Sequence, residues 1–239
     1  MRQGLIDSDV VEEAVGADSP LRRIPRTYGK VQDKHPARWL THDEAIQLVA
    51  ACQDGTDLGL RDEIVIRLGL LGLRASEIGH LTFGAIHDDG HITWMGKGHK
   101  ARSHSAPVGL RQALTRWVSR YEKGLRRPVR PNDPIVCRQH RGGPTLMWGV
   151  LSEQPRMVVA RTLTHRASNA KLGHVTAHDL RRTAAGLLHR SLDKNGAHHF
   201  DLLDIQKVLG HSDPATTMRC YLDPLDTAVI DKAARVLDI

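Results

Sequence analysis

Apolar positions recur at helical spacing along most of the chain. Thr41-His-Asp-Glu44 has the form of a capping box and is followed by Ala45, Leu48, Val49 and Cys52 three or four residues apart, which predicts a helix. Asp62 to Leu71 carries Ile64, Val65, Leu68 and Leu71 and closes on Gly69 and Gly72; a second helix is expected from Arg74 through Glu77, Ile78 and Leu81, with Gly72-Leu73 as a tight corner. His91 to Met95 and Ser103 to Val108 read as short strands flanking Gly96-Lys97-Gly98-His99-Lys100, a β-hairpin with a cationic tip. Leu110, Ala113, Leu114, Trp117, Val118 and Tyr121 mark an amphipathic helix whose other face holds Gln112, Arg116 and Arg120, there to meet phosphates or simply to be solvated.

Beyond Arg126 the sequence is loop-like up to Thr145, with a brief strand at Pro134 to Cys137, and Met147 to Lys171 is expected to be helical although weakly patterned. The pattern sharpens at His178 to Leu192 and Asp201 to Leu209, each a helix, the latter capped by Gly210. Asp213-Pro214 should open a further helix reaching Tyr221, and Leu225, Val229, Ala233 and Val236 share one face of a terminal one. The sum is a mainly α domain with one small antiparallel β-sheet, an α+β fold. It should occupy residues 38–239, because residues 1–37 run from an acidic start into a basic, Pro-punctuated stretch of linker composition.

Composition narrows the class. With 40% hydrophobic and 26% charged residues the 239-residue chain can bury a core of ordinary size. It has no apolar run of membrane-spanning length and no basic-then-apolar leader, which predicts a soluble, cytoplasmic protein with no membrane partner. Cys52, Cys137 and Cys220 are three in number and far apart, so they are expected to be reduced thiols. A net charge of +7, with fifteen histidines in addition, favours a polyanionic partner. Aromatics at 4% make a base-stacking surface a poor fit, so backbone contact with duplex DNA is the better expectation.

Several polar residues could act together. His178 and Arg181 stand three apart on a predicted helix, about 5 to 6 Å apart at Cβ, a spacing suited to gripping one small anion. Arg74 follows the glycine corner, with Glu77 placed to hold its guanidinium or to cap the helix. Lys97 sits between two glycines at the hairpin tip, His211 lies just past a helix end, and Tyr221 comes ten residues later. Two guanidiniums can clamp phosphate oxygens, histidines can move protons, and a tyrosine can attack phosphorus. No acidic cluster accompanies them to hold magnesium. His174 and His178 have helical metal-site spacing, but Val175 stands where a glutamate would be needed and no third ligand is evident, so no metal or other cofactor is expected.

Leu71-Gly-Leu-Arg74-Ala-Ser-Glu77-Ile, the Lys97 hairpin, His178-Asp-Leu-Arg181 and Leu209-Gly-His211 running on to Tyr221 together resemble the arginine, lysine, His-x-x-Arg and tyrosine boxes of the tyrosine recombinase (phage integrase) family, in the family's order. The resemblance spans roughly residues 38 to 239 and implies the catalytic-domain fold of that family. It implies a site-specific DNA recombinase that cleaves and rejoins duplex DNA through a 3′-phosphotyrosyl intermediate, without metal or ATP. Tyr221 would be the nucleophile, Arg74, Arg181 and His211 would bind the phosphate, and His178 would accept the tyrosine proton. Lys97 would be the general acid, with Lys100 its competitor in the same loop; Tyr121 is the other candidate nucleophile and lies in no matching motif. The resemblance further implies a monomer in free solution that assembles into a tetramer on DNA through its C-terminal tail, accessory or directionality proteins, and a nucleoid location. Residues 1–37 would be a linker or the remnant of an N-terminal core-binding region. A type IB topoisomerase and a catalytically silent DNA-binding regulator are the competing functions.

Overall fold

A computed structural model describes residues 38–96, 98, 100–140 and 143–210. Among these, seven α-helices and two antiparallel two-stranded sheets are present: α1 (His42–Ala50), α2 (Asp57–Leu70), α3 (Ala75–Gly79), β1 (His91–Met95), β2 (Ala101–Ser105), α4 (Val108–Leu125), β3 (Cys137–Gln139), β4 (Leu146–Leu151), α5 (Pro155–Asn169), α6 (Ala177–His189) and α7 (Leu202–Leu209). The α+β class is as expected, but the β structure is two sheets and not one. Residues 1–37 and 211–239, and with them the expected linker and last two helices, lie outside the described residues.

Local chemistry explains the helix starts. Thr41 Oγ1 accepts from the Glu44 amide at 3.2 Å while Glu44 Oε2 accepts from the Thr41 amide at 2.8 Å, the reciprocal pair that begins α1. Helix α2 starts five residues earlier than its apolar pattern, because Thr56 Oγ1 accepts from the Gly59 amide at 2.9 Å. Thr176 with Asp179, and Asp201 with Asp204, make the same kind of box at the starts of α6 and α7.

Helix α2 is the central strut. Ile64, Val65, Ile66 and Leu68 are fully buried on it, as are Leu40, Leu48, Leu73, Ile78, Ile92 and Trp117 around it. Polar groups of α2 are buried too. Asp62 accepts from Arg61 Nη2 at 2.7 Å, Arg166 Nε at 2.8 Å and Thr162 Oγ1 at 3.1 Å, which fastens α5 to α2. Helix α4 is fastened on another side: Arg116 donates to Glu63 at 2.9 Å, and Arg120 to both oxygens of Asp57 at 2.5 and 2.7 Å. Those two arginines are therefore interhelical ties that still lie on a solvated face, their side chains 49% and 41% exposed.

The stretch after Met147 departs from the helical expectation. Leu146–Leu151 is strand β4, paired with β3, and α5 begins only at Pro155, whose fixed φ and missing N–H suit a first helical turn. Trp148 on β4 packs against Trp117 and Tyr121 at centroid distances of 5.6 and 5.4 Å, and this aromatic burial holds the strand in place. Strand β2 likewise begins and ends earlier than its pattern, at Ala101 and Ser105, since Pro107 is taken up as the residue that starts α4. Of the brief strand expected at Pro134 to Cys137, Pro134 makes only a single bridge with Thr82 and the pairing starts at Cys137.

Candidate active site

The corner after α2 is built by its sequence. Gly72 has φ +96, and the Leu73 amide returns to the Leu68 carbonyl at 3.1 Å while the Leu73 side chain is fully buried. That plug fixes Arg74 as the residue capping α3. Glu77 does both of the things its position suggests: one carboxylate oxygen accepts from the Arg74 amide at 2.7 Å, and the other from Arg74 Nη1 at 2.9 Å. Arg74 keeps 27% of its side chain exposed, so the aligned guanidinium still faces solvent.

Helix α6 presents the second set. Asp179 is buried and accepts from the amide and hydroxyl of Thr176 at 2.9 and 2.6 Å and from Arg182 at 3.2 Å. Thr183, one turn on, accepts from the Leu40 amide at 2.8 Å, which stitches the start of the described chain to this helix. So held, α6 buries Arg181, whose guanidinium donates to the carbonyl of Gly72 and to that of Leu209. Arg181 therefore joins the corner that carries Arg74 to the end of α7, the residue pair just before His211.

Arg74, His178 and Arg181 line one groove of about 940 Å³ together with Arg156, His174 and His80. Arg74 also borders an adjoining hollow of about 600 Å³ that runs along Thr93 to Gly96 at the root of the hairpin. His178 is exposed on the groove wall. Protein packed against its imidazole, then the charges of Arg182, Arg181 and Arg74, hold its pKa below the ordinary value of 6.5. A neutral imidazole beside two guanidiniums can take a proton, while the guanidiniums can hold an anion.

Lys97, His211 and Tyr221 lie outside the described residues, so their placement is not part of this groove's geometry. Lys100 is described and exposed, its carbonyl closing the turn by accepting from the Gly96 amide at 2.9 Å. Tyr121 is fully buried, donates to the Pro134 carbonyl at 2.7 Å and accepts from the Gly149 amide at 3.0 Å; burial pushes its phenol well above the usual tyrosine value. It cannot reach a phosphate. Cys52 and Cys137 are buried thiols pushed up to about 12 by burial.

Sequence reasoning missed Arg102 and His104, the two inward residues of β2. Arg102 Nη2 donates to the Gly210 carbonyl at 3.0 Å, and the half-buried His104 faces the backbone of Val208. Alternation along Ala101–Ser105 was the available signal, masked by the strand's expected start at Ser103.

The fold is shared with known recombinases. The crystal structure of XerA recombinase superposes with a TM-score of 0.63 at 20% identity, covering 86% of this chain and 67% of that one. XerH site-specific recombinase bound to a palindromic difH substrate gives 0.60 at 23%, covering 83% and 52%. The architecture is thus the tyrosine recombinase catalytic-domain fold. The phage integrase family model matches residues 38–227, and the chain belongs to that family. It is 33% identical over 212 residues to tyrosine recombinase XerD of Neisseria meningitidis serogroup B, covering 86% of this chain and 64% of the relative. Against tyrosine recombinase XerC of Xylella fastidiosa (strain 9a5c) it is 33% identical over 213 residues, covering 87% and 60%. The chain thus spans less than two thirds of the length of these relatives.

Proposed function

We propose that this protein is a site-specific DNA recombinase that cleaves and rejoins duplex DNA through a 3′-phosphotyrosyl intermediate, with residues 38–239 as the catalytic domain and residues 1–37 as a linker or remnant of a core-binding region. The observation that carries the reading is the meeting of Arg74, His178 and Arg181 in one basic groove, brought together from segments about a hundred residues apart and tied by Arg181 to the carbonyl of Gly72. Family membership and two relatives named as tyrosine recombinases support it.

In this mechanism Arg74 and Arg181 bind the non-bridging oxygens of the scissile phosphate and stabilise the charge that builds as phosphorus becomes five-coordinate. Tyr221 attacks phosphorus, His178 accepts the phenolic proton, and His211 adds a hydrogen bond to the phosphate. Lys97, with Lys100 as the competing lysine, gives a proton to the leaving 5′-oxygen. The phosphotyrosine retains the bond energy of the diester, so a 5′-hydroxyl from a second strand reverses the step without ATP or metal. Duplex DNA is the partner. The protein is a monomer in free solution and forms a tetramer on the DNA of the nucleoid, with accessory proteins setting direction.

The deciding experiment incubates the protein with DNA of its own replicon without magnesium, quenches with detergent and maps the covalent adduct by mass spectrometry beside Tyr221→Phe. An adduct on Tyr221 that the variant lacks is expected, and sequencing its DNA gives the cleavage site. Relaxation of supercoils with no joining of two sites would favour a topoisomerase, and the absence of any adduct a silent DNA-binding regulator. Deleting residues 225–239 should abolish strand exchange and spare cleavage; intact recombination would exclude tail-mediated assembly.

A further inference from the structure

The end of α7 is held by side chains from two other elements. A helix C-terminus leaves its last carbonyls without intrahelical partners and carries partial negative charge. Here two of those carbonyls are taken in succession, Leu209 by Arg181 and Gly210 by Arg102 at 3.0 Å. Arg102 comes from β2, the second strand of the hairpin, and Arg181 from α6.

Arg102 does more than cap. Its side chain passes directly under Gly96, where an added Cβ would stand 2.5 Å from Nε. Its other end lies against Gly210, where an added Cβ would stand 1.2 Å from Nη1 on a residue already at φ +63. Neither glycine can carry a side chain while Arg102 is in place. Gly96 immediately precedes Lys97, and Gly210 immediately precedes His211. Arg102 Nε is itself buried with no hydrogen-bond partner among the described residues.

We infer that Arg102 is a positioning residue: wedged between Gly96 and Gly210, it sets the hairpin that bears Lys97 and the helix end that bears His211 in a single register. The inference rests on the roles proposed above for Lys97 and His211. Through this wedge, a hairpin that swings away also releases the end of α7, so Gly96 and Gly210, the residues that precede Lys97 and His211 in sequence, shift together.

The test compares wild type, Arg102→Met and Arg102→Lys. Hydrogen exchange on the free protein should show residues 96–105 and 202–210 exchanging faster together in Arg102→Met, with α1 unchanged and Arg102→Lys intermediate. Cleavage is then measured on a nicked duplex carrying the sequence recovered from the Tyr221 adduct, once with the natural 5′-oxygen at the scissile bond and once with sulfur there. In the natural substrate the P–O5′ bond breaks and the oxygen leaves with a proton from Lys97; sulfur leaves as a thiolate and needs none. Arg102→Met should slow the natural substrate by roughly 10- to 100-fold and the sulfur substrate several-fold less, because misplacing the acid no longer matters there. Faster exchange in only one segment, an unchanged natural rate, or equal losses on both substrates would overturn the inference. If wild type forms no adduct the proposed reaction falls, and the exchange measurement alone decides whether Arg102 couples the two segments.

Discussion

His178 is exposed on the groove wall, yet the protein around it and the guanidiniums of Arg182, Arg181 and Arg74 all disfavour its charged form. It is therefore neutral at neutral pH, the form that the role proposed for it requires. The acid limb of the cleavage rate should accordingly lie below 6.5, and a pH profile of adduct formation at saturating DNA would check it; an acid limb above that value would assign it to another group. The same physics at His104 acts on stability. Burial lowers its pKa, the nearby backbone of Val208 partly offsets this, and Arg102 and Arg181 add to the lowering. The unfolded chain then takes up a proton near 6.5 that the folded chain refuses until lower pH, so this contribution is intact above that value and lost on acidification. His104→Gln should show a smaller fall in thermal midpoint than wild type between about pH 7.5 and about pH 5.5. Two tyrosines illustrate what residue type alone conveys: Tyr121 and Tyr221 have the same chemistry, and the full burial of Tyr121 adds a physical reason to its lying in no matching motif.

At the scale of elements, boundaries shifted wherever a cap or a proline competed with the apolar pattern. Helix α2 gained a turn from Thr56, β2 lost its end to Pro107, and β4 formed where a helix was expected because Trp148 had an aromatic cluster to join. The polar tie between α2 and α5 was equally hidden. Asp62, read as a helix start, lies inside α2 with 4% of its side chain exposed and two arginines on its carboxylate. Removing it leaves the buried Arg61 guanidinium without a carboxylate and Arg166 with Asp54 alone. Asp62→Ala should lose about 3–5 kcal/mol, read by urea unfolding, whereas Arg116→Ala, which breaks a half-exposed pair, should lose under about 1 kcal/mol. Comparable losses in the two variants would mean that the buried network is not what joins these helices.

Across the whole molecule, a net charge of +7 describes association poorly until the committed charges are set aside. Arg61, Arg116, Arg120 and Arg166 are spent on carboxylates within the fold, while Arg156 is exposed on the rim of the groove. Arg156→Ala should weaken binding to arbitrary duplex DNA and reduce the slope of log K against log salt by about 1, and Arg116→Ala should leave that slope unchanged. Fluorescence anisotropy across a salt series would separate the two. By itself the sequence determined the helical class, the glycine corner, the caps at Thr41 and Gly210 and the order of the Arg74, His178 and Arg181 boxes, because capping, turns and amphipathic periodicity act over a few residues. The tertiary structure alone decided that Arg74, His178 and Arg181 share one groove, that Arg116 and Arg120 serve packing, and that Arg102 reaches from a strand to the end of α7. Those outcomes depend on which residues become neighbours once α2 is enclosed, and a local pattern carries no record of a partner a hundred residues away.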